Sequence, residues 1–170
     1  CEYTVASASQ MLNPDTGDLD EEILRTLGIP RNRFGRLTLP GTTVGQLRPQ
    51  VQEFTRLPAI DVVAVAGHDT GSAVAAVPAE NEEYAYLSCG TWSLLGIETP
   101  SAIITDESFF WNFTNEGGIE GTTRFLKNIC GLWIFEQCRK EFKDAPEGVA
   151  ELVSLCETTD FASLIDPDAP

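Results

Sequence analysis

Basic residues are scarce: 11 Lys and Arg stand against 26 Asp and Glu, giving a formal charge of −15. A surface of that sign repels phosphate backbones and argues against nucleic acid as a partner. Most of the acids read as a solvated face that keeps the protein soluble. Any ATP chemistry here needs Mg²⁺ to screen the phosphates and backbone amides to cradle them. His68 is the only histidine, and the five cysteines (Cys1, Cys89, Cys130, Cys138 and Cys156) never fall at C-x-x-C spacing. That donor set argues against a zinc site and predicts reduced thiols of a cytoplasmic protein. No apolar run reaches the roughly 18–20 residues of a membrane span. Cys1-Glu2-Tyr3-Thr4 carries neither the basic nor the apolar region of a signal peptide. An initiator Met is lacking too, Met11 being the only methionine, so an internal segment of a longer protein is the expectation. Neither G-x-x-x-x-G-K-[ST] nor G-x-G-x-x-G occurs, so a nucleotide site must be of another type.

What is present is an ordinary globular balance, 42% hydrophobic and 22% charged over 170 residues, enough for one good-sized domain or pieces of two. Glu21–Leu27 has apolar residues at helical spacing and acids in its first turn. Asp18 or Asp20 can cap it, Gly28 supplies a left-handed end and Pro30 prevents continuation. Residues 31–58 read as a surface connector ending in a hinge, with a short helix around Gln50–Arg56 between prolines. Ile60–Gly67 is continuously apolar and β-branched, as a strand buried on both faces should be. Thr70–Val77 predicts a helix packed tightly on it. Tyr84–Ser88 and Thr91–Ile97 predict a hairpin turning at Cys89-Gly90. Beyond it the pattern predicts an extended Phe109–Thr114, a glycine loop at Gly117-Gly118, a long amphipathic helix over Thr123–Phe142 and a further helix over Glu147–Glu157.

Three segments could carry chemistry. Gly67-His68-Asp69-Thr70-Gly71 places a carboxylate just beyond the end of a strand, where open α/β sheets gather ligands. Asp69 there can take a proton from a sugar hydroxyl as that oxygen attacks a γ-phosphate, or it can simply cap the following helix. His68 by itself is more often structural. Ser88-Cys89-Gly90-Thr91-Trp92-Ser93 can present successive N–H groups and hydroxyls to an anion, or be an ordinary hairpin with Trp92 in the core. Asn115-Glu116-Gly117-Gly118, leading to Lys127-Asn128, suits the paired hydrogen bonds of polyol recognition, or is an ordinary loop and helix face.

Taken in order, these segments resemble the FGGY carbohydrate kinase family. The resemblance rests on the runs Ala66–Val74, Tyr86–Gly96, Asn115–Gly118 and Phe125–Trp133. Asn13–Gly17 and Leu27–Pro30 are similar to the end of the family's first domain, so the likeness runs from about Ala6 to Phe142. It implies an α/β, actin-like, ribonuclease H-like ATPase fold in which ATP and sugar bind between two domains. Residues 1–58 would close the first domain with its connector, and 59–170 would open the second. By resemblance Asp69 is the general base, with His68 and Thr70 flanking the sugar and Asn128 at the substrate or cleft face. Gly90 and Thr91 would meet the ATP phosphates. Glu136 stands where the family often has Gln at the nucleotide, which makes that contact unfavourable for phosphate though not for adenine or ribose. The wording at Ser72–Val74 and Trp92–Leu94 is similar to the branch acting on L-rhamnulose. The fuculokinase and xylulokinase types, and a non-catalytic sugar- or protein-binding domain, stand as alternatives. The implied ligands are a ketose and ATP with Mg²⁺, and a segment lacking its other parts would expose apolar surface that could pair it as a dimer.

Overall fold

The computed structural model describes residues 1–143, 146, 148–160, 162–164 and 166. The chain opens on α1 (Tyr3–Ser7), followed by the short antiparallel pair β1 (Leu12–Asn13) and β2 (Asp18–Leu19). Asp20 caps α2 (Glu21–Leu27), its carboxylate accepting from the N–H groups of Glu22 and Ile23. Gly28 closes the helix at φ 66°, a left-handed conformation that costs glycine little. β3 (Thr43–Gln46) and α3 (Pro49–Thr55) make the connector.

The strand expected over Ile60–Gly67 is shorter and more open than its pattern suggests. Only Asp61–Val63 forms β4, antiparallel to β3, and Val62, Val63 and Val65 are 41%, 49% and 68% exposed. Its continuous apolar character has no covering layer among the described residues. α4 (Asp69–Ala75) follows as expected, and its last turn stops ahead of Pro78.

A four-stranded antiparallel sheet organises the rest, in the order β5 (Ala85–Cys89), β6 (Ser93–Thr99), β8 (Thr123–Ile129), β7 (Phe113–Gly117). Two expectations fail here. α5 (Asp106–Phe110) is a helix where extended chain was expected to begin at Phe109, because Thr105 and Ser108 form a reciprocal capping box. Residues 123–129 are strand β8, and the helix expected over Thr123–Phe142 begins only at α6 (Gly131–Glu141). Arg124-Phe125-Leu126, Ile129 and Leu132-Trp133 mimic a helical stripe. Yet on β8 it is the alternation that matters, with Arg124 and Leu126 fully buried on one face. Gly131, at φ 38°, is the break between the two periods. α7 (Val149–Glu157) ends the described helices, and Glu147, where that helix was expected to begin, lies outside the described residues.

α4 lies against one face of the sheet. Val74, Tyr86 and Leu126 are the buried core, with Tyr84 and Leu94 packed around them. On the other face Leu87, Leu95 and Ile97 are 57%, 42% and 38% exposed. α1 fastens to the outer strand, where Ser7 Oγ accepts from the Gly117 N–H at 2.7 Å.

Candidate active site

The Gly67–Gly71 loop is held from behind by the start of the chain. The Glu2 carboxylate accepts from the N–H groups of Thr4, Val5 and Gly67 and from the Thr4 hydroxyl. Thr4 Oγ1 in turn accepts from the His68 N–H at 3.0 Å. A Cβ on Gly67 would lie 2.9 Å from Glu2 Oε2 and 3.2 Å from Val5 Cγ2, so glycine is what permits this approach. Gly71 is different: a Cβ there would meet its neighbours at an ordinary 3.6 Å.

Burial alone would push the Glu2 carboxyl up, but these hydrogen bonds favour its charged form and bring it below its ordinary value of 4.5. A carboxylate lowered by folding stabilises the fold fully above its unfolded pKa. The contribution fades as pH falls through the lowered folded value. We therefore expect Glu2→Gln to speed amide exchange at Gly67 and His68 by roughly an order of magnitude at neutral pH. That difference should shrink as pH falls through the lowered folded value, as protonation of wild-type Glu2 does the same damage.

His68 occupies the cap position of α4 without a side-chain capping bond, and Asp69 is the first helical residue. The Asp69 carboxylate takes one local bond, from the Thr70 N–H at 2.8 Å, and its side chain is 98% exposed. Thr70 is buried. The His68 Nδ1 lies 3.4 Å from Asp69 Oδ1, and its Nε2 lies 3.8 Å from Glu116 Oε2. The topology thus brings the first and third sequence segments together. Asn115 and Glu116 are strand residues on β7 rather than loop residues, and with Asn128 they line a cavity of about 540 Å³. Asn128 sits on β8, not on a helix, and is exposed.

The hairpin turns over Gly90-Thr91-Trp92, since Cys89 pairs with Ser93. Trp92 is 68% exposed and not a core residue. The Gly90 N–H donates to the Trp92 carbonyl, while the N–H groups of Leu132 and Trp133 donate to the carbonyls of Gly90 and Thr91. The first turn of α6 is therefore bonded to the hairpin tip. A Cβ on Gly131 would collide with Ser93 Oγ and lie 2.8 Å from the Gly90 carbonyl, so this junction also depends on glycine. Thr91 and Glu136 line one apolar cleft of about 740 Å³ between α6 and α7, with Leu132, Phe135 and Leu152. Glu136 pairs with Arg139 at 2.9 Å.

Sequence reasoning missed Glu2, Thr4 and Arg124. Glu2 and Thr4 act across more than 60 positions, and Arg124 was hidden in a misread helix. The local sequence Thr123-Arg124-Phe125-Leu126-Lys127-Asn128 has no apolar-polar alternation, so nothing local marked Arg124 as buried.

The structure thus presents an exposed carboxylate, Asp69, on a loop braced by Glu2 and Thr4. Comparison with known proteins gives the family. The model of the N-terminal domain of the FGGY family of carbohydrate kinases matches residues 1–76, and that of the C-terminal domain matches residues 85–170. The chain belongs to the FGGY family of carbohydrate kinases. It is 54% identical over 169 residues to a rhamnulokinase of Bacteroides thetaiotaomicron, covering 98% of this chain and 34% of that protein. It is 44% identical over 142 residues to a rhamnulokinase of Bacillus subtilis, covering 84% of this chain and 29% of that protein. The chain thus spans about a third of the length of these relatives. Among solved structures, a xylulose kinase from Rhodospirillum rubrum superposes with a TM-score of 0.71 at 14% identity, over 91% of this chain and 30% of that one. A gluconate kinase from Lactobacillus acidophilus gives 0.70 at 17%, over 92% and 32%. The fold is accordingly that of actin-like, ribonuclease H-like sugar kinases. No helix among the described residues is long and apolar enough to cross a membrane.

Proposed function

We propose that this chain is part of a kinase that transfers the γ-phosphoryl group of ATP to the 1-hydroxyl of L-rhamnulose, giving L-rhamnulose 1-phosphate and ADP. The observation that carries this reading is Asp69: a carboxylate 98% exposed, at the first turn of α4, on a loop fixed from behind by Glu2 and Thr4. The identity to curated rhamnulokinases supports the choice of sugar.

In this reading Asp69 accepts the proton of the sugar hydroxyl as it attacks, which a loose phosphoryl-transfer transition state asks only of a weak base. His68 and Thr70 flank the sugar, and Asn128 faces it from the cleft. Gly90 and Thr91 meet the phosphates, and Glu136 meets adenine or ribose. Among the described residues no group of three or more His, Cys, Asp or Glu could hold a metal ion. On this proposal Mg²⁺ arrives with the phosphates of ATP as part of the substrate. Residues 1–58 are proposed as the end of the first domain with its connector, and 59–170 as the first part of the second.

The test is a coupled ADP-release assay on the full-length kinase with a panel of ketoses. L-Rhamnulose is expected to give a kcat/KM at least about tenfold above L-fuculose and D-xylulose, the discrimination a few well-placed hydroxyl contacts provide. A reversed order would replace the substrate while leaving the reaction class. The 170-residue chain alone, which carries one wall of the cleft on this proposal, is expected to release no ADP above background.

A further inference from the structure

The register of the sheet sets Glu116 of β7 directly opposite Arg124 of β8, on the face that α4 covers. Arg124 is fully buried and Glu116 is 11% exposed, and Nη2 of the one lies 2.9 Å from Oε2 of the other. Arg124 Nε also donates to the Gly117 carbonyl at 3.1 Å. The first turn of α4 rests on this guanidinium: a Cβ on Gly71 would lie 3.6 Å from Nη2. Nη1 and Nη2 have no aligned hydrogen-bond acceptor among the described residues, so the pair is Coulombic more than hydrogen-bonded.

Such a pair is a poor device for stability alone, because desolvation offsets most of its attraction and apolar side chains of similar volume usually serve folding as well. Its position suggests another use. Glu116 Oε2 is 3.8 Å from His68 Nε2, and His68 Nδ1 is 3.4 Å from Asp69 Oδ1. The imidazole therefore stands between a buried carboxylate and a solvent-facing one. Neither contact is an aligned hydrogen bond, and His68 Nδ1 and Glu116 Oε2 find no aligned partner among the described residues, so the three groups are coupled by charge and proximity. An apolar replacement for the Arg124–Glu116 pair could fill the same space but could not orient a ring N–H.

We propose that Arg124 and Glu116 are positioning residues: Arg124 fixes the Glu116 carboxylate, Glu116 fixes the His68 ring, and His68 aims the Asp69 carboxylate at the sugar hydroxyl. This rests on the reading of Asp69 as the general base. It deepens that reading by naming the groups that hold the base, none of which touches the reacting atoms except through His68.

The test uses the full-length kinase and measures kcat, KM for the ketose and for ATP, and the unfolding temperature. Glu116→Gln is expected to lower kcat about tenfold or more, since misplacing a reacting group by an ångström can lose about 10²-fold, with KM for ATP unchanged. In a His68→Asn background the same Glu116→Gln change is expected to lower kcat less than about twofold, because the ring it orients is gone. Arg124→Met combined with Glu116→Met keeps the volume without the charges; it is expected to unfold at the wild-type temperature or above and to retain the loss of kcat. The proposal is overturned by a Glu116→Gln enzyme within twofold of wild type, or by the same loss with and without His68. It is equally overturned if the paired methionines restore kcat, or if they fail to fold, either of which makes the pair purely structural. Asp69→Asn separates the two levels. Activity retained there sinks the base itself and this proposal with it. Activity lost there, with Glu116→Gln near wild type, sinks only the positioning chain.

Discussion

Asp69→Asn in the full-length kinase is expected to lower kcat for L-rhamnulose by about 10²–10⁴-fold, the usual contribution of a positioned general base. The unfolding temperature should stay where it is. Asp69 is 98% exposed, and its one local bond comes from the Thr70 N–H, which the amide oxygen of asparagine can accept as well. The only structural loss is a negative charge in the first turn of α4, worth a few tenths of a kcal/mol at an exposed site. Were Asp69 no more than a helix-terminal acid, the substitution would therefore leave activity nearly whole. A coupled ADP-release assay with L-rhamnulose on both proteins, beside a thermal melt, decides between these. Activity within a few fold of wild type, in a folded variant, would shift the reading to a domain that binds sugar without phosphorylating it.

The parts of this fold that could be read from sequence are those whose cause is local. Asp20, Gly28 and Pro30 bound α2 because a side-chain cap, a left-handed φ and a missing N–H each act within a turn. Asp69 was marked by its place in a Gly-x-Asp-x-Gly run after an apolar stretch, a pattern that suits a helix-terminal acid as well as a base. The failures were of two kinds. Thr123–Phe142 was read as one helix because Phe125, Leu126, Ile129, Leu132 and Trp133 fall at helical spacing, with no alternation over residues 123–129 to oppose it. What settles residues 123–129 as strand is pairing with β6 on one side and β7 on the other, which no window along the chain contains. The supports of the site were invisible for the same reason. Glu2 reaches Gly67, and Glu116 reaches His68, across sequence gaps that only the folded topology closes. The α5 capping box was the exception: Thr105 and Ser108 stood three apart in plain view and outweighed the extended character of the aromatic run that follows.

Gly96→Ala is expected to be strongly destabilising. Gly96 lies in β6, between Tyr86 of β5 and Leu126 of β8. A Cβ there would stand 2.7 Å from Leu126 Cβ, from the Phe125 carbonyl oxygen and from the Tyr86 hydroxyl at once. None of these can retreat easily. Leu126 is fully buried, the Phe125 carbonyl belongs to the adjoining strand, and Tyr86 is 5% exposed. The Tyr86 hydroxyl is desolvated enough to raise its pKa to about 12, although Arg124 nearby opposes the rise. Forcing the phenol aside would disturb the Arg124 guanidinium as well. Overpacking of this kind costs about 1–3 kcal/mol, and with three immovable neighbours the upper end is expected. For a chain of this size that lowers the unfolding temperature by roughly 6–12 °C. Gly71→Ala is the control, because it adds the same methyl in the interior of α4, where the nearest atoms stand at 3.6 Å. Alanine is favoured over glycine in a helix by roughly 0.5–1 kcal/mol, so this variant should melt at or above the wild-type temperature. Equal losses at the two positions would mean that the sheet yields around residue 96, and that the close approach of β5, β6 and β8 is not what sets the core.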